Sequence, residues 1–97
     1  MTWLWTWGGR SFGYRHEDNL FTSSGNNIGY FKGEEVYACS NGRYLGELKN
    51  GKLITKQSSQ HKHASPKVSV IGASHADKVD HVGYVMYAGY EDFPEFK

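Results

Sequence analysis

Apolar and polar residues alternate with a period of two along most of the chain, the pattern of β-strands that bury one face. Trp3, Trp5 and Trp7 fall on one face of a predicted first strand. Further strands are predicted at 11–15, 20–22, 27–31, 36–39, 44–48 and 53–56. Two Asn-Gly pairs, Asn41-Gly42 and Asn50-Gly51, favour hairpins because type I′ turns need positive φ. With no helical period anywhere, the sequence predicts an all-β antiparallel meander of about eight strands and no major helix.

A short phrase recurs along this meander: glycine, two variable residues, an apolar residue, a second glycine, then usually tyrosine. It occupies residues 9–14, 25–30 and 42–47, and 82–84 preserve its second half. The first three copies place their second glycines 16 and 17 residues apart. Self-similarity at a fixed period indicates a repeat architecture. We therefore predict four hairpin repeats, at 3–15, 20–31, 36–48, and 53–56 paired with 82–87.

The second glycine of each phrase needs a reason, since glycine weakens a strand interior. Close approach of neighbouring backbones supplies one, and it predicts a structural role for Gly13, Gly29, Gly46 and Gly83. The apolar residues one position earlier should face the opposite side; they are Phe12, Ile28, Leu45 and Val82. Four converging hairpins predict pseudo-four-fold closure, either propeller-like or as a small barrel, which also removes exposed sheet edges.

The chain is predicted to form a single domain over residues 1–97, with a polar loop inserted at 57–80 and a C-terminal tail at 88–97. The net charge of +1 gives no general attraction to nucleic acid or to an anionic membrane. One cysteine, Cys39, cannot form an internal disulfide, and the N-terminal residues resemble neither a signal peptide nor a membrane span. These features predict a cytoplasmic protein.

Several motifs together resemble the 4-fold β-flower domain of bacterial proteins. They are Phe12-Gly13-Tyr14-Arg15, and the segments 33–37, 42–48, 50–55 and 89–94. The resemblance covers about residues 8–56 and the tail and leaves 57–80 outside. It implies a fold, and it carries neither an activity nor catalytic residues to this chain.

Four histidines in or beside the predicted insertion are candidate binding residues: His61, His63, His75 and His81. Alternate histidines can share a metal ion, yet no carboxylate or cysteine stands beside His61 and His63 at a ligand-like spacing. A solvated polar loop is the simpler interpretation, so we predict no metal site and no cofactor.

Catalytic chemistry has little support in the sequence. No Gly-x-Ser-x-Gly motif marks a nucleophilic serine. Cys39 takes a position in its hairpin that we compare with Thr6, Thr22 and Thr55, which favours a packing role over a reactive thiol. The acids at 34–35 are predicted to be solvated turn residues, and those at 91, 92 and 95 belong to an aromatic-rich tail expected to pack on the domain.

Trp3, Trp5 and Trp7 allow two interpretations. An exposed tryptophan face could stack sugars, bases or cations, whereas a buried one contributes to the core or to a subunit interface. We favour burial, under the fourth hairpin and the tail at 87–96 or against a second copy in a homo-oligomer. Nucleic-acid binding is not expected because the basic residues are scattered along the chain.

The sequence favours a non-enzymatic binding or interaction module of unknown protein partner, with the 57–80 loop as its variable surface. The alternative is a small hydrolase or transferase that combines a loop histidine with a nearby carboxylate. A histidine and a buried acid converging in one pocket would distinguish the second from the first.

Overall fold

The computed structural model describes residues 1–96 and contains eight strands. They are β1 (Thr2–Thr6), β2 (Ser11–His16), β3 (Asn19–Thr22), β4 (Asn27–Lys32), β5 (Glu35–Ala38), β6 (Tyr44–Lys49), β7 (Lys52–Lys56) and β8 (Tyr90–Asp92). A single 3₁₀ turn at Gln57–Ser59 is the one helical element among these residues. The predicted all-β class is confirmed, and the first seven strands lie within a residue or two of their predicted bounds.

Each strand pairs with the next in antiparallel register, and the sheet closes on itself. Closure comes from a short parallel pairing of β1 with β7, in which Trp5 lies opposite Lys52 and Thr6 opposite Leu53. β8 continues along the same edge of β7, from Ile54 to Lys56. Seven strands thus form a closed barrel with an added eighth, which confirms the predicted pseudo-four-fold closure. The strand pairing differs from that of a wholly antiparallel meander only in the one parallel pair, β1 with β7.

Equivalent residues from the four repeats meet inside the barrel. One fully or almost fully buried aliphatic residue comes from each repeat: Leu4, Leu20, Val36 and Leu53. A second group packs against them, made up of Phe12, Ile28 and Leu45 from the first three repeats and Phe93 from the tail. The four-fold character of the core is therefore set by side chains 16 or 17 residues apart, as expected for a repeat that buries one face.

The recurring glycine phrase encodes a β-bulge. Leu4 pairs with Gly13 but Trp5 pairs with Ser11, so Phe12 is the extra residue, and the same irregularity recurs in the next two hairpins. A bulge re-aims side chains. Here it lets Phe12 face the core while Tyr14, two positions on, lies against the outer wall.

The second glycine of each phrase allows the strands to approach closely at the bulge. A Cβ on Gly13 would overlap the carbonyl oxygen of Phe21. At Gly29 it would lie 2.8 Å from the oxygen of Tyr37, and at Gly46 2.6 Å from that of Ile54. Because real Cβ atoms do not tolerate such distances to backbone, these three positions require glycine.

The turns divide into two kinds. Glu17-Asp18 and Asn50-Gly51 each have two residues of positive φ, as type I′ turns require. Asn41-Gly42 instead lies in the longer loop between β5 and β6, where Gly42 alone of the pair has positive φ. The predicted tight turn at that Asn-Gly pair is wrong, because the bulged hairpins connect through longer loops.

The fourth repeat differs from its prediction. Residues 82–87 form no strand, Val82 is exposed, and the antiparallel partner of 54–56 is β8. Gly83 does approach a backbone closely, since a Cβ there would lie 2.5 Å from the oxygen of Gly8. It does so outside the sheet. Residues 82–84 therefore share with the repeat phrase the need for close backbone approach, but they do not form its bulged strand.

The excursion from the fourth hairpin is also longer than the predicted 57–80. We call residues 60–89 the strap, because this segment passes the third, second and first hairpin loops in that order before returning to β7. It has no regular secondary structure beyond isolated bridges at His63 and Ile71. The tail then places Phe93 in the core; of the predicted 88–97, Lys97 lies outside the described residues.

Candidate binding surfaces

The strap is attached to the barrel through the hairpin loops at regular intervals. Its backbone N–H groups donate to the carbonyl oxygens of the first glycine in each phrase, from Ala64 to Gly42 (2.7 Å), Gly72 to Gly25 (3.1 Å) and His81 to Gly9 (2.7 Å). A second set follows a few residues further on, from Lys67 to Cys39, His75 to Ser23 and Tyr84 to Trp7. Attachment points on the strap are thus eight or nine residues apart, whereas the loops that they contact are 16 or 17 residues apart in the barrel. The barrel needs more residues because two strands separate each loop from the next.

Side chains on the outer wall add to these attachments. The hydroxyl of Tyr30 donates to the Ser65 carbonyl at 2.5 Å, and that of Tyr14 donates to Ala73 at 2.7 Å. Both tyrosines directly follow the second glycine of their phrase. In two of the three complete copies of the phrase, the tyrosine therefore holds the strap, while the third copy has Glu47 at this position. Sequence reasoning missed this role, although the repetition of Gly-Tyr was its signal.

The three tryptophans lie on the outer wall and face the strap, with Leu4 and Thr6 on the inner side. Trp7 is buried, while Trp3 and Trp5 are half-buried. The indole N–H groups of Trp5 and Trp7 donate to the carbonyls of Val79 and Val85. The tryptophans are thus covered mainly by the strap. Of the predicted 87–96 cover, Tyr87 contacts Trp7, with ring centroids 5.4 Å apart.

The four histidines do not come together. His61 and His63 are exposed, and the His63 ring lies 3.3 Å from the carbonyl oxygen of His61. His75 meets Trp3 edge-on, and His81 stacks on Trp5 with ring centroids 3.8 Å apart. Two histidines therefore attach the strap to tryptophans through ring contacts.

A histidine–carboxylate pair of the kind that the hydrolase alternative needs does not occur for the strap histidines within residues 1–96. The one histidine within 4.0 Å of a carboxylate there is His16, whose neighbour Glu17 lies 3.7 Å away in an exposed turn. The described chain also holds no group of three or more histidine, cysteine and acidic residues that could bind a metal ion. Over the same residues, no helix is both long and apolar enough to span a membrane.

Cys39 is buried directly after β5, in the loop of the third hairpin, and burial raises the pKa of its thiol. Its predicted equivalence with the threonines is off by one residue. Gly9 and Gly25 donate to the carbonyls of Thr6 and Thr22, whereas Gly42 donates to Ala38. Ala38 is therefore the counterpart of the threonines, and Cys39 occupies the position of Trp7 under the strap.

An ion pair connects the start of the strap to the barrel wall. Lys62 donates to Glu35 at 2.5 Å, and Tyr37 donates to the same carboxylate at 2.8 Å. These hydrogen bonds, that of Lys62 above all, lower the pKa of the Glu35 carboxyl. Burial raises the pKa of Tyr37 to about 12, and the hydrogen bond to Glu35 is a second, smaller cause. The predicted solvated turn holds for the preceding Glu34, which is exposed, and is wrong for Glu35, which is half-buried at the start of β5.

The strap carries almost all of the large apolar side chains that are exposed in the described chain. Apart from Met1, every large hydrophobic residue that is exposed in the described chain lies between positions 68 and 87. Five aliphatic side chains are at least 86% exposed, and we call them the aliphatic row: Val68, Ile71, Val79, Val82 and Val85. Sequence reasoning found only part of this surface, because a short apolar run at 68–71 does not reveal which side of an irregular segment faces solvent.

Comparison with known proteins identifies a family. The family model described as "4-fold beta flower protein" matches residues 2–78. The match covers all seven barrel strands and the strap as far as Lys78, and it leaves out β8 and Phe93. No curated protein and no solved structure matches the chain. Since the matched part covers most of the chain and the structure has the pseudo-four-fold closure that the family's name describes, the chain belongs to the 4-fold beta flower family.

Proposed function

We propose that this protein is a non-enzymatic interaction module whose strap binds a protein partner through the aliphatic row. The observation that supports the proposal is the concentration of exposed aliphatic side chains on one segment that is anchored at every hairpin loop. Exposed apolar side chains that are concentrated in one region mark interaction sites more often than singly scattered ones do. Anchoring matters because a preordered segment loses less conformational entropy when it binds.

Charge on the strap favours a protein over other classes of partner. Its charged residues beyond the anchoring Lys62 are Lys67, Asp77, Lys78 and Asp80, so the two signs balance. A nucleic acid or an anionic membrane would call for an excess of positive charge. A partner with an apolar groove and a weakly charged rim complements the aliphatic row best. The test must also distinguish a different protein from a second copy of this chain.

The test compares protein partners captured from cells with and without the aliphatic row. We would replace three of its members together, as Val79→Asp, Val82→Asp and Val85→Asp. The matched control adds the same three charges at exposed polar positions, as Ser58→Asp, Ser65→Asp and Ser74→Asp. Captured candidates are then purified, and their binding to each variant is measured by calorimetry.

We expect a partner that binds the parent and the serine variant alike and binds the valine variant at least about 100-fold more weakly, because three desolvated aliphatic side chains are lost from the interface. Mass in solution shows whether that partner is the chain itself. A partner that binds all three proteins equally would place the interaction elsewhere and contradict the proposal, as would valine and serine variants that retain the same set of captured proteins.

A further inference from the structure

Two depressions open between the hairpin loops, on either side of the tail. The first, about 380 Å³, lies between the first and second loops, and it is lined by Arg10, Ser11, Ser23 and Asp77 among others, with Phe12 and Phe96 as its aromatic part. Five of its lining residues carry hydroxyl groups. The Ser11 oxygen already accepts from the indole N–H of Trp3 and from the Lys78 N–H, so its own hydrogen is directed elsewhere.

The second depression, about 350 Å³, lies between the third loop and the fourth repeat. It is lined by Asn41, Arg43, Gln60 and Glu91, and it shares Phe96 with the first. We call the two depressions the first and second clefts. Each combines an arginine, at least one carboxylate, neutral hydrogen-bonding groups and Phe96, although the two clefts share no other residue.

The internal repeat explains why the clefts resemble each other. Arg10 and Arg43 both follow the positive-φ glycine of their phrase, at Gly9-Arg10 and Gly42-Arg43. Equivalent hairpins therefore carry equivalent guanidinium groups to the same end of the barrel. The second hairpin has Asn26 at this position, so the two arginines that line the clefts come from the first and third hairpins.

From this arrangement we infer that the two clefts bind small neutral polyhydroxylated ligands of monosaccharide size, one in each cleft. Their volumes fall at the lower end of the range for small-molecule sites. Hydroxyl, amide and guanidinium groups offer the donors and acceptors that a sugar's hydroxyls need. Phe96 lines both clefts and gives each some apolar surface for the C–H side of a pyranose.

The balance of charge in the clefts argues for a neutral ligand. In the first cleft Arg10 forms an ion pair with Glu95, and Asp77 adds a second carboxylate. In the second, Gln60 donates to Glu91 at 2.8 Å, beside Arg43. An anion such as phosphate would meet carboxylates in both clefts and would lose more by repulsion than a neutral polyol.

The test is a nuclear magnetic resonance titration with four sugars: glucose, galactose, mannose and N-acetylglucosamine. We expect at least one of them to shift the amide signals of Ser11 and Ser23 in the first cleft and of Ser40 and Asn41 in the second. Arg10→Ala should weaken binding in the first cleft at least about tenfold and leave the second unchanged, and Arg43→Ala should do the reverse. Each variant is thus the control for the other, and Lys32→Ala, an exposed change outside both clefts, should alter neither.

Phe96→Leu adds a readout that both clefts share, since it keeps an apolar side chain against the core while removing the ring. We expect it to weaken sugar binding at both clefts together. Inorganic phosphate and glycine are titrated in the same way as charged comparison ligands. The inference is overturned if none of the sugars shifts the cleft amides or if the shifts are insensitive to both arginine variants. It is also overturned if phosphate or glycine binds there in place of sugars. Because the strap's aliphatic row lies outside the clefts, failure here leaves the proposed protein interaction untouched.

Discussion

The barrel wall and the strap follow the same internal period by different means. In the wall, the period is carried by side chains: a buried aliphatic residue, a bulged residue and a close-approach glycine in each complete hairpin. In the strap, it is carried mainly by backbone hydrogen bonds to the loop glycines. The wall therefore depends on which residue occupies a position, whereas the strap depends chiefly on its length between attachments.

This difference separates two kinds of sensitivity to substitution. A change in the wall should lower the stability of the whole fold, because every hairpin shares one core. A change in the strap should release a local segment and leave the barrel folded, since subglobal opening is the usual behaviour of irregular segments with few buried side chains. Four measurements test this contrast.

The largest effect is expected at Gly13. Gly13→Ala should lower the free energy of unfolding by about 4 kcal/mol, because the new Cβ overlaps the backbone of Phe21 and the strands must separate. Chemical denaturation measures the loss. The control is Gly33→Asn, in an open turn of positive φ that asparagine tolerates, with an expected change of under about 0.5 kcal/mol. Equal stability of the two variants would disprove the close-approach account of the repeat.

Phe93→Ala should cost about 3 kcal/mol, because it leaves a cavity where the tail completes the fourth quarter of the core. The side chain is 3% exposed, and its ring meets that of Phe12 edge-on at 5.2 Å. Thermal and denaturant unfolding both report the loss. Phe96→Ala, at a half-buried position, is the comparison and should cost clearly less. If Phe93→Ala proved the milder of the two, the tail would not belong to the core.

His81→Ala should have a smaller and local effect. Loss of the ring stacked on Trp5 should reduce strap stability by about 1 kcal/mol. Amide hydrogen exchange near residues 79–84 should become faster while exchange in the barrel strands stays unchanged, and tryptophan emission should shift to the red. His63→Ala, which removes an exposed ring, should leave both signals as they are. Uniformly faster exchange across the barrel would mean that wall and strap open as one unit.

The smallest effect concerns pH. The hydrogen bonds from Lys62 and Tyr37 depress the pKa of Glu35 in the folded protein below its ordinary value of 4.5. The stability that these bonds add is therefore complete above that value and is lost as pH falls through the folded-state pKa. Because both charged side chains are partly exposed, we expect about 0.5 kcal/mol.

This pH effect is measured as the difference between the parent and Glu35→Gln, with unfolding followed from about pH 6 to about pH 3. The parent should lose about 0.5 kcal/mol more than the variant across that range. Parallel stability curves for the two proteins would show that the ion pair does not help to hold the strap.

The strands of the barrel wall could be predicted well because the features that determine them are residues close together in the sequence. Alternation fixes the seven strands, and recurrence of glycine fixes their closure, since both depend on residues a few positions apart. The same reasoning went wrong at Val82-Gly83-Tyr84. Those residues repeat the phrase because Gly83 also approaches a backbone, at Gly8. Nothing local distinguishes a bulged strand from a strap that lies across a loop.

The surfaces were less predictable for a related reason. Trp3, Trp5 and Trp7 share a face by alternation, but that face is opposite to the core, and only the path of the strap shows what covers it. The first cleft joins residues from the first two loops, the strap and the tail, which lie far apart in the chain. No spacing rule connects Arg10 to Phe96, so the clefts become visible only once closure and the position of the tail are known.

The path of the strap also bears on how the molecule reaches its native state. Trp5 and Trp7 receive their strap partners from 74 and 78 residues away, and the sites that accept the strap exist only after three hairpins have formed. Contacts of such high sequence separation slow folding, whereas the hairpins themselves are local and fast. We therefore expect the strap to dock after the hairpins have formed, so that an early species has a formed sheet with solvent-exposed indoles. In rapid-mixing experiments, far-ultraviolet circular dichroism should recover before tryptophan emission, and simultaneous recovery of the two signals would exclude this order of events.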